Sequence, residues 1–328
     1  MSEDLLKLVP EPMEDDVNTQ VPPFKNLEEE SNIRINLKET STPLFLEKPR
    51  KHYNAGRNRK RIIVVGSSGK GGTGKSTTSV LMALAYQKKN DNTVIVDFDL
   101  PIGDVPTMLG MSYERSISDF YDVPDDLSDE KVRENLLLTY HNGLKVLPAL
   151  RDLQDMSLVN TGWFVEKLIH HLKSFDVIVV DTGPNFEEAT LKLFEMATDI
   201  VYVTDDYETT FHNIYQGRCL LEYSGVDVSK IRLAVNRSQD SKQERVSFIS
   251  NTTAIQNVFF LPYVKEMPNL VDSKDYNVLK QKNHFYNQSL EKLMEHLTPE
   301  LYGTGMNIEE DKRQPGFFAR LFKRGVKK

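Results

Sequence analysis

The 328-residue chain has a single cysteine, Cys219. A lone thiol excludes an internal disulfide and any cysteine-built metal cage, and it fits a reducing compartment. Cys219 itself reads as an ordinary buried helix residue. No run approaches the ~20 consecutive apolar residues of a membrane-spanning helix. The start, Met1-Ser2-Glu3-Asp4, lacks the basic stretch that opens a secretory signal. These absences predict a cytoplasmic chain. No internal repeat is detectable either, which excludes a stacked array. What is present in quantity is apolar residue content, 39%, enough at this length for one sizeable core.

Charge is unevenly placed beneath a net value of −7. Residues 1–48 are acid-rich (Glu11, Glu14, Asp15, Asp16, Glu28, Glu29, Glu30), whereas Arg50 to Arg61 holds only basic charges. From Lys312 onward the chain is again free of acids and carries Lys312, Arg313, Arg320, Lys323, Arg324, Lys327 and Lys328. Such ends point to partners for the termini rather than for the core. Residues 1–58 lack sustained periodicity and carry scattered prolines (Pro10, Pro12, Pro22, Pro23, Pro43, Pro49), so this segment is expected to be mostly disordered.

From Arg61 the pattern changes to short β-branched runs alternating with helical stretches. Strands are expected at Ile62–Val65, Thr93–Val96, Lys145–Leu147, Val177–Val180, Ile200–Val203, Ile231–Val235 and Val258–Leu261. Helices are expected at Ser76–Lys88, Thr161–Lys173, Glu187–Met196, Thr210–Tyr223 and Asn287–His296. Continuous apolar strands separated by helices predict an α/β fold, a doubly wound and mainly parallel sheet with ligands at the carboxyl ends of its strands.

Between the first strand and first helix lies Gly69-Lys70-Gly71-Gly72-Thr73-Gly74-Lys75-Ser76-Thr77. Glycines let the backbone turn its N–H groups onto an anion, and the helix N-terminus adds its dipole. In such a loop Lys75 reaches the β- and γ-phosphates and the Ser76 hydroxyl ligates Mg²⁺. The strand-before, helix-after context identifies a nucleotide-binding P-loop.

The general pattern leaves the position of Lys70 free, yet here the loop reads Lys-Gly-Gly-x-Gly-Lys-Ser-Thr. It resembles the deviant P-loop of the MinD/ParA family of ATPases over residues 60–300. The resemblance implies that ATP and Mg²⁺ are the cofactors and that the chain forms a homodimer on ATP, with Lys70 reaching across the interface to the partner's nucleotide. Asp97-Phe98-Asp99 is similar to the family's switch I, where the second acid, Asp99, orients the attacking water; both aspartates also suit a strand-end turn. Asp181-Thr182-Gly183 is similar to Walker B and switch II, with Asp181 holding Mg²⁺ through water. Asn236-Arg237 resembles the adenine-contacting pair, and Pro262 the proline that closes over the base. Segments such as Gly103-Asp104-Val105-Pro106-Thr107-Met108-Leu109-Gly110 look closest to MinD and to the CpaE/TadZ pilus-assembly proteins. Asp205-Asp206-Tyr207 departs from the Asn-Pro-Glu-like turn usual in MinD, and Gly66-Ser67-Ser68 carries an extra residue ahead of the loop.

The last segment, residues 301–328, divides into a linker and a tail. As a helix, the tail would gather Phe317, Phe318, Leu321 and Phe322 on one face, flanked by Arg320, Lys323 and Arg324. That arrangement suits an anionic bilayer surface and resembles the membrane-targeting tail of MinD proteins. The expected architecture is therefore an N-terminal segment 1–58, an ATPase domain 59–300 and an amphipathic tail. The expected function is an ATP-hydrolysing dimeric switch, peripheral on the inner membrane face, that positions or assembles a surface or division machine with a protein partner or activator. The alternative is a ParA-like ATPase that binds nucleoid DNA through Arg57, Arg59, Lys60 and Arg61.

Overall fold

The computed structural model describes residues 60–69, 71–89, 92–239, 243–276 and 284–302. The N-terminal segment 1–58 and the tail residues Phe317, Phe318, Arg320, Leu321, Phe322, Lys323 and Arg324 lie outside the described residues, as does Lys70.

Eight strands form one sheet: β1 (Arg61–Gly66), β2 (Thr93–Phe98), β3 (Leu138–Thr139), β4 (Lys145–Leu147), β5 (Val177–Thr182), β6 (Asp199–Asp205), β7 (Ile231–Ser238) and β8 (Val258–Pro262). Their order is β3-β4-β2-β5-β1-β6-β7-β8. All pairings are parallel except β3 with β4. The seven strands expected from the sequence are thus present. β3 is the addition, a two-residue edge strand too short to leave a periodic signal.

The continuous apolar strands follow from burial on both faces. In β1, Ile62 and Val64 enter one hydrophobic layer and Ile63 and Val65 the other, because successive side chains of a strand point to opposite sides. The first layer is covered by the Gly162–His171, Glu188–Met196, Glu208–Tyr223 and Gln243–Thr253 helices, through residues such as Phe164, Leu168, Leu193, Phe211 and Ile249. The second is covered by the Lys75–Lys89 and Phe285–Leu297 helices, through Leu81, Met82, Tyr86, Leu290, Leu293 and Met294. The Gln243–Thr253 helix was not expected: its Ser247, Ser250, Asn251, Thr252 and Thr253 are poor helix formers, and packing of Ile249 into the core overrides their propensity.

From β1 the chain moves to β2 and β4 on one side, returns to insert β5 between β2 and β1, and only then builds β6, β7 and β8 on the other side. The direction of winding reverses at β1. Crevices for ligands open at such reversal points, outside the carboxyl ends of the strands, and the loop that leaves β1 is the P-loop.

Candidate functional site: a phosphate-binding loop between two switch segments

The loop runs from β1 into the Lys75–Lys89 helix, and its backbone is drawn into place by two distant elements. Gly69 N donates to Pro184 O at 3.1 Å, joining the loop to the segment after β5. Asn236, from the end of β7, donates from Nδ2 to Thr73 O at 2.8 Å. Gly74 has φ +95°, and a Cβ there would lie 2.3 Å from Asn236 Nδ2, so the position demands glycine for both conformation and space. Thr78 then donates its backbone N–H and its Oγ1 to Gly74 O, each at 2.9 Å, starting the helix.

Lys75 occupies the first helical turn and is almost fully buried, in the electrostatic field of both Asp99 and Asp181. Gly71 and Gly72 are exposed at the tip of the loop, and Ser76 and Thr77 are half-buried at the helix start. This placement leaves the tip's backbone free to face an anion while the helix dipole points at it.

The two acids predicted to serve the site come from strands that are neighbours in space. β2 and β5 pair in a register that sets Asp97 beside Asp181 and Phe98 beside Thr182. Asp181 is fully buried; its Oδ1 accepts from Ser79 Oγ at 2.8 Å, and Ser76 donates to the same carboxylate. Its Oδ2 is buried and has no hydrogen-bond partner among the described residues. Burial pushes the Asp181 carboxyl up to about 6, against the pull of the two serines. A buried carboxylate oxygen with nothing to accept among the described residues, on a carboxylate that Ser76 also reaches, fits a bound Mg²⁺. Among the described residues no cluster of three or more His, Cys, Asp or Glu forms a protein cage.

Asp99 lies just beyond β2. A Cβ on Gly183 would meet its Oδ1 at 2.7 Å, so the first switch segment touches the backbone of the second. Burial raises the Asp99 carboxyl, with Lys75 opposing. Thr182 Oγ1 donates to Val65 O at 2.9 Å and anchors the second switch to β1. Lys75, Ser76, Asp99 and Asp181 are thereby brought together around the loop.

The residues assigned to the base lie at the far side of the loop. Arg237 is half-exposed, has φ +54° and pairs through Nη1 with Asp205 Oδ1 at 2.8 Å. Asn236 Oδ1 accepts from Arg237 N at 2.9 Å, and with Nδ2 bound to the P-loop the Asn236 side chain acts as a strut within the site. Pro262 ends β8 opposite Ser238. Two buried groups escaped sequence reasoning. Ser79 had a legible signal, three residues after Ser76 and therefore on the same helix face. Asp97 was expected only as the first acid of the switch I segment or a strand-end turn former, with no role of its own, because its register with Asp181 is a tertiary fact.

Comparison with known proteins gives the family. The ParA family model, described as NUBPL iron-transfer P-loop NTPase, matches residues 58–298. The septum site-determining protein MinD of Escherichia coli K12 is 25% identical over 285 residues, spanning 80% of this chain and 98% of that protein. The antiactivator FleN of Pseudomonas aeruginosa is 24% identical over 214 residues, spanning 61% and 73%. Among solved structures, a ParA family ATPase of Chlorobium tepidum superposes with a TM-score of 0.63 at 20% identity, covering 72% of this chain and 99% of that one. MinD of Pyrococcus horikoshii in complex with Mg-ADP superposes at 0.60 with 18% identity, covering 74% and 97%. With a family model spanning well over half its length, the chain belongs to the ParA/MinD family of P-loop ATPases.

Proposed function

We propose that this ATPase is a nucleotide-driven dimeric switch that binds ATP with Mg²⁺, associates with the cytoplasmic face of the membrane through its C-terminal tail, and positions or assembles a cell-surface or division machine. The observation that carries the catalytic part is the convergence of Lys75, Ser76, Asp99 and Asp181 on one loop, with Asp181 Oδ2 left unpartnered among the described residues. Lys75 and the loop N–H groups hold the phosphates. Ser76 and Asp181 would hold Mg²⁺, which would supply charge neutralisation to the transferred phosphoryl group. Asp99 orients the attacking water, and Lys70 completes the site across the dimer. Phosphoryl transfer asks little more of a protein than positioning and charge. The contact of Asp99 with Gly183 gives hydrolysis a route to the second switch segment, whose Pro184 carbonyl holds the P-loop.

The spatial part of the reading rests on the tail and on the relatives. MinD is named a septum site-determining protein and FleN an antiactivator, and a MinD of Aquifex aeolicus is seen in a complex with MinC. A single weak anchor binds marginally, whereas two anchors on one dimer bind with avidity, so ATP-driven dimerisation would place the protein on the membrane and hydrolysis would release it. Among the described residues no helix is long and apolar enough to cross a membrane. The iron transfer in the family model's description is not carried over, since one cysteine cannot supply the thiolates that a cluster requires. The test is co-sedimentation with anionic liposomes in ATP. The wild type should sediment, and less so at high salt, because its cations act through a screened potential. Phe318→Glu should stay in the supernatant with its ATPase rate unchanged. Sedimentation of a protein ending at Gln314 would refute the tail's role, and retention on duplex DNA at moderate salt would move the protein to the DNA-segregation class.

A further inference from the structure

The loop leaving β2 closes over a buried side chain to which the reading above gives no part. Asp97 is fully buried at the end of β2. Its Oδ1 accepts from Asp99 N at 3.3 Å, and its Oδ2 accepts from Val105 N at 2.9 Å. Between those donors, Gly103 packs directly on the carboxylate: a Cβ there would lie 2.1–2.2 Å from Oδ1, Cγ and Oδ2. An aspartate serving only as a strand-end turn former needs the first of these contacts, two residues on. Val105 is eight residues away and opens a separate short helix, Val105–Met108. The carboxylate therefore grips the two ends of the loop and carries its middle.

We propose that Asp97 is a positioning residue for ATP hydrolysis: its carboxylate clasps the loop from Asp99 to Val105 and thereby holds Asp99 against Gly183, where the attacking water is to be oriented. Three features support the clasp. Among the described residues Asp97 has no ion pair; burial and the neighbouring Asp181 push its carboxyl up while the Val105 and Asp99 N–H groups oppose them, and a buried acceptor does not readily release such donors. Both oxygens are engaged on different donors, which fixes the plane of the carboxylate and with it the curvature of the loop. Asp99 is two residues from Asp97, and Gly183 has no side chain to keep Asp99 at a distance. Displacement of the loop is consequently transmitted to the carboxylate of Asp99.

The inference rests on Asp99 as the water-orienting group and is tested so that the two can be told apart. Asp97→Asn keeps the volume but leaves one accepting oxygen for two donors. Gly103→Ala pushes the loop off the clasp without touching any charge. Each should lower kcat by about 10²-fold, the cost of a displacement near 1 Å at a reacting group, with KM for ATP changed less than about twofold. The Val105 amide should exchange faster with deuterium in both variants. In an Asp99→Ala background, measured by single-turnover phosphate release, Asp97→Asn should cost nothing further, since the group it positions is gone. A wild-type kcat in Gly103→Ala overturns the proposal, as does an Asp97→Asn loss that persists undiminished without Asp99 or appears mainly in KM. If Asp97→Asn does not fold, Gly103→Ala carries the test alone. If Asp99→Ala keeps the wild-type kcat, the water-orienting role fails, while unchanged Val105 exchange in Gly103→Ala would refute the clasp itself.

Discussion

Asp181→Asn should make the nucleotide-free protein more stable near neutral pH while abolishing its Mg²⁺-dependent hydrolysis. Asp181 is buried, with the Asp99 carboxyl nearby, and its own carboxyl is raised from 3.8 to about 6, chiefly by burial. A carboxyl raised in the folded state binds protons more tightly there than in the unfolded chain, so its favourable contribution is complete below about 3.8 and lost as pH rises through about 6. Each pKa unit is worth about 1.36 kcal/mol, so at pH 7.5 the ionised carboxylate costs the empty site on the order of 3 kcal/mol. At pH 5 roughly 1.4 kcal/mol of that is recovered. Asparagine keeps the volume and an oxygen for Ser79 but removes the charge. The measurement is urea unfolding of both proteins in EDTA at pH 7.5 and pH 5, followed by the same experiment with Mg²⁺ and ADP. The variant should gain about 1–3 kcal/mol at pH 7.5, less at pH 5, and should lose the stabilisation that Mg·ADP gives the wild type. Taking the difference between the proteins cancels groups such as Asp227, whose carboxyl is shifted the opposite way. A variant less stable than wild type at pH 7.5, or one with an identical pH dependence, would refute the reasoning.

Other perturbations reach the same site by different routes. Gly74→Ala imposes a positive φ on alanine and a collision with Asn236; strain of about 1–2 kcal/mol plus a buried amide left without its acceptor, about 1–3 kcal/mol, should lower the melting temperature by several degrees and abolish nucleotide binding, and retention of wild-type ADP affinity by calorimetry would contradict it. Lys75→Ala should lose nucleotide binding outright. Lys70→Ala should still bind ATP but stay monomeric and hydrolytically slow, so dimerisation seen by light scattering would exclude action across the interface. Asp99→Ala should accumulate as an ATP-bound dimer, and a monomeric elution with ATP in gel filtration would remove the water-orienting role.

Much of this protein was legible before any coordinates because its strongest signals are local. β1 and β5 read as buried strands from four consecutive apolar residues each, a pattern set by burial on both faces. The P-loop was legible because phosphate binding constrains adjacent residues, with glycines for the turn and Lys75 and Ser76 at the helix start. The tail's amphipathic spacing and the basic runs are local too. What the tertiary structure alone decided is which strand ends meet. Asp97 and Asp181 become neighbours only because β5 inserts between β2 and β1. Asn236 reaches Thr73 across 163 residues of sequence, and the clasp of Asp97 on Val105 depends on a loop whose path no periodicity encodes. Local patterns report how a segment is buried, whereas strand order and register arise from the packing of both layers at once, and it is that packing which turned separate aspartates into one site.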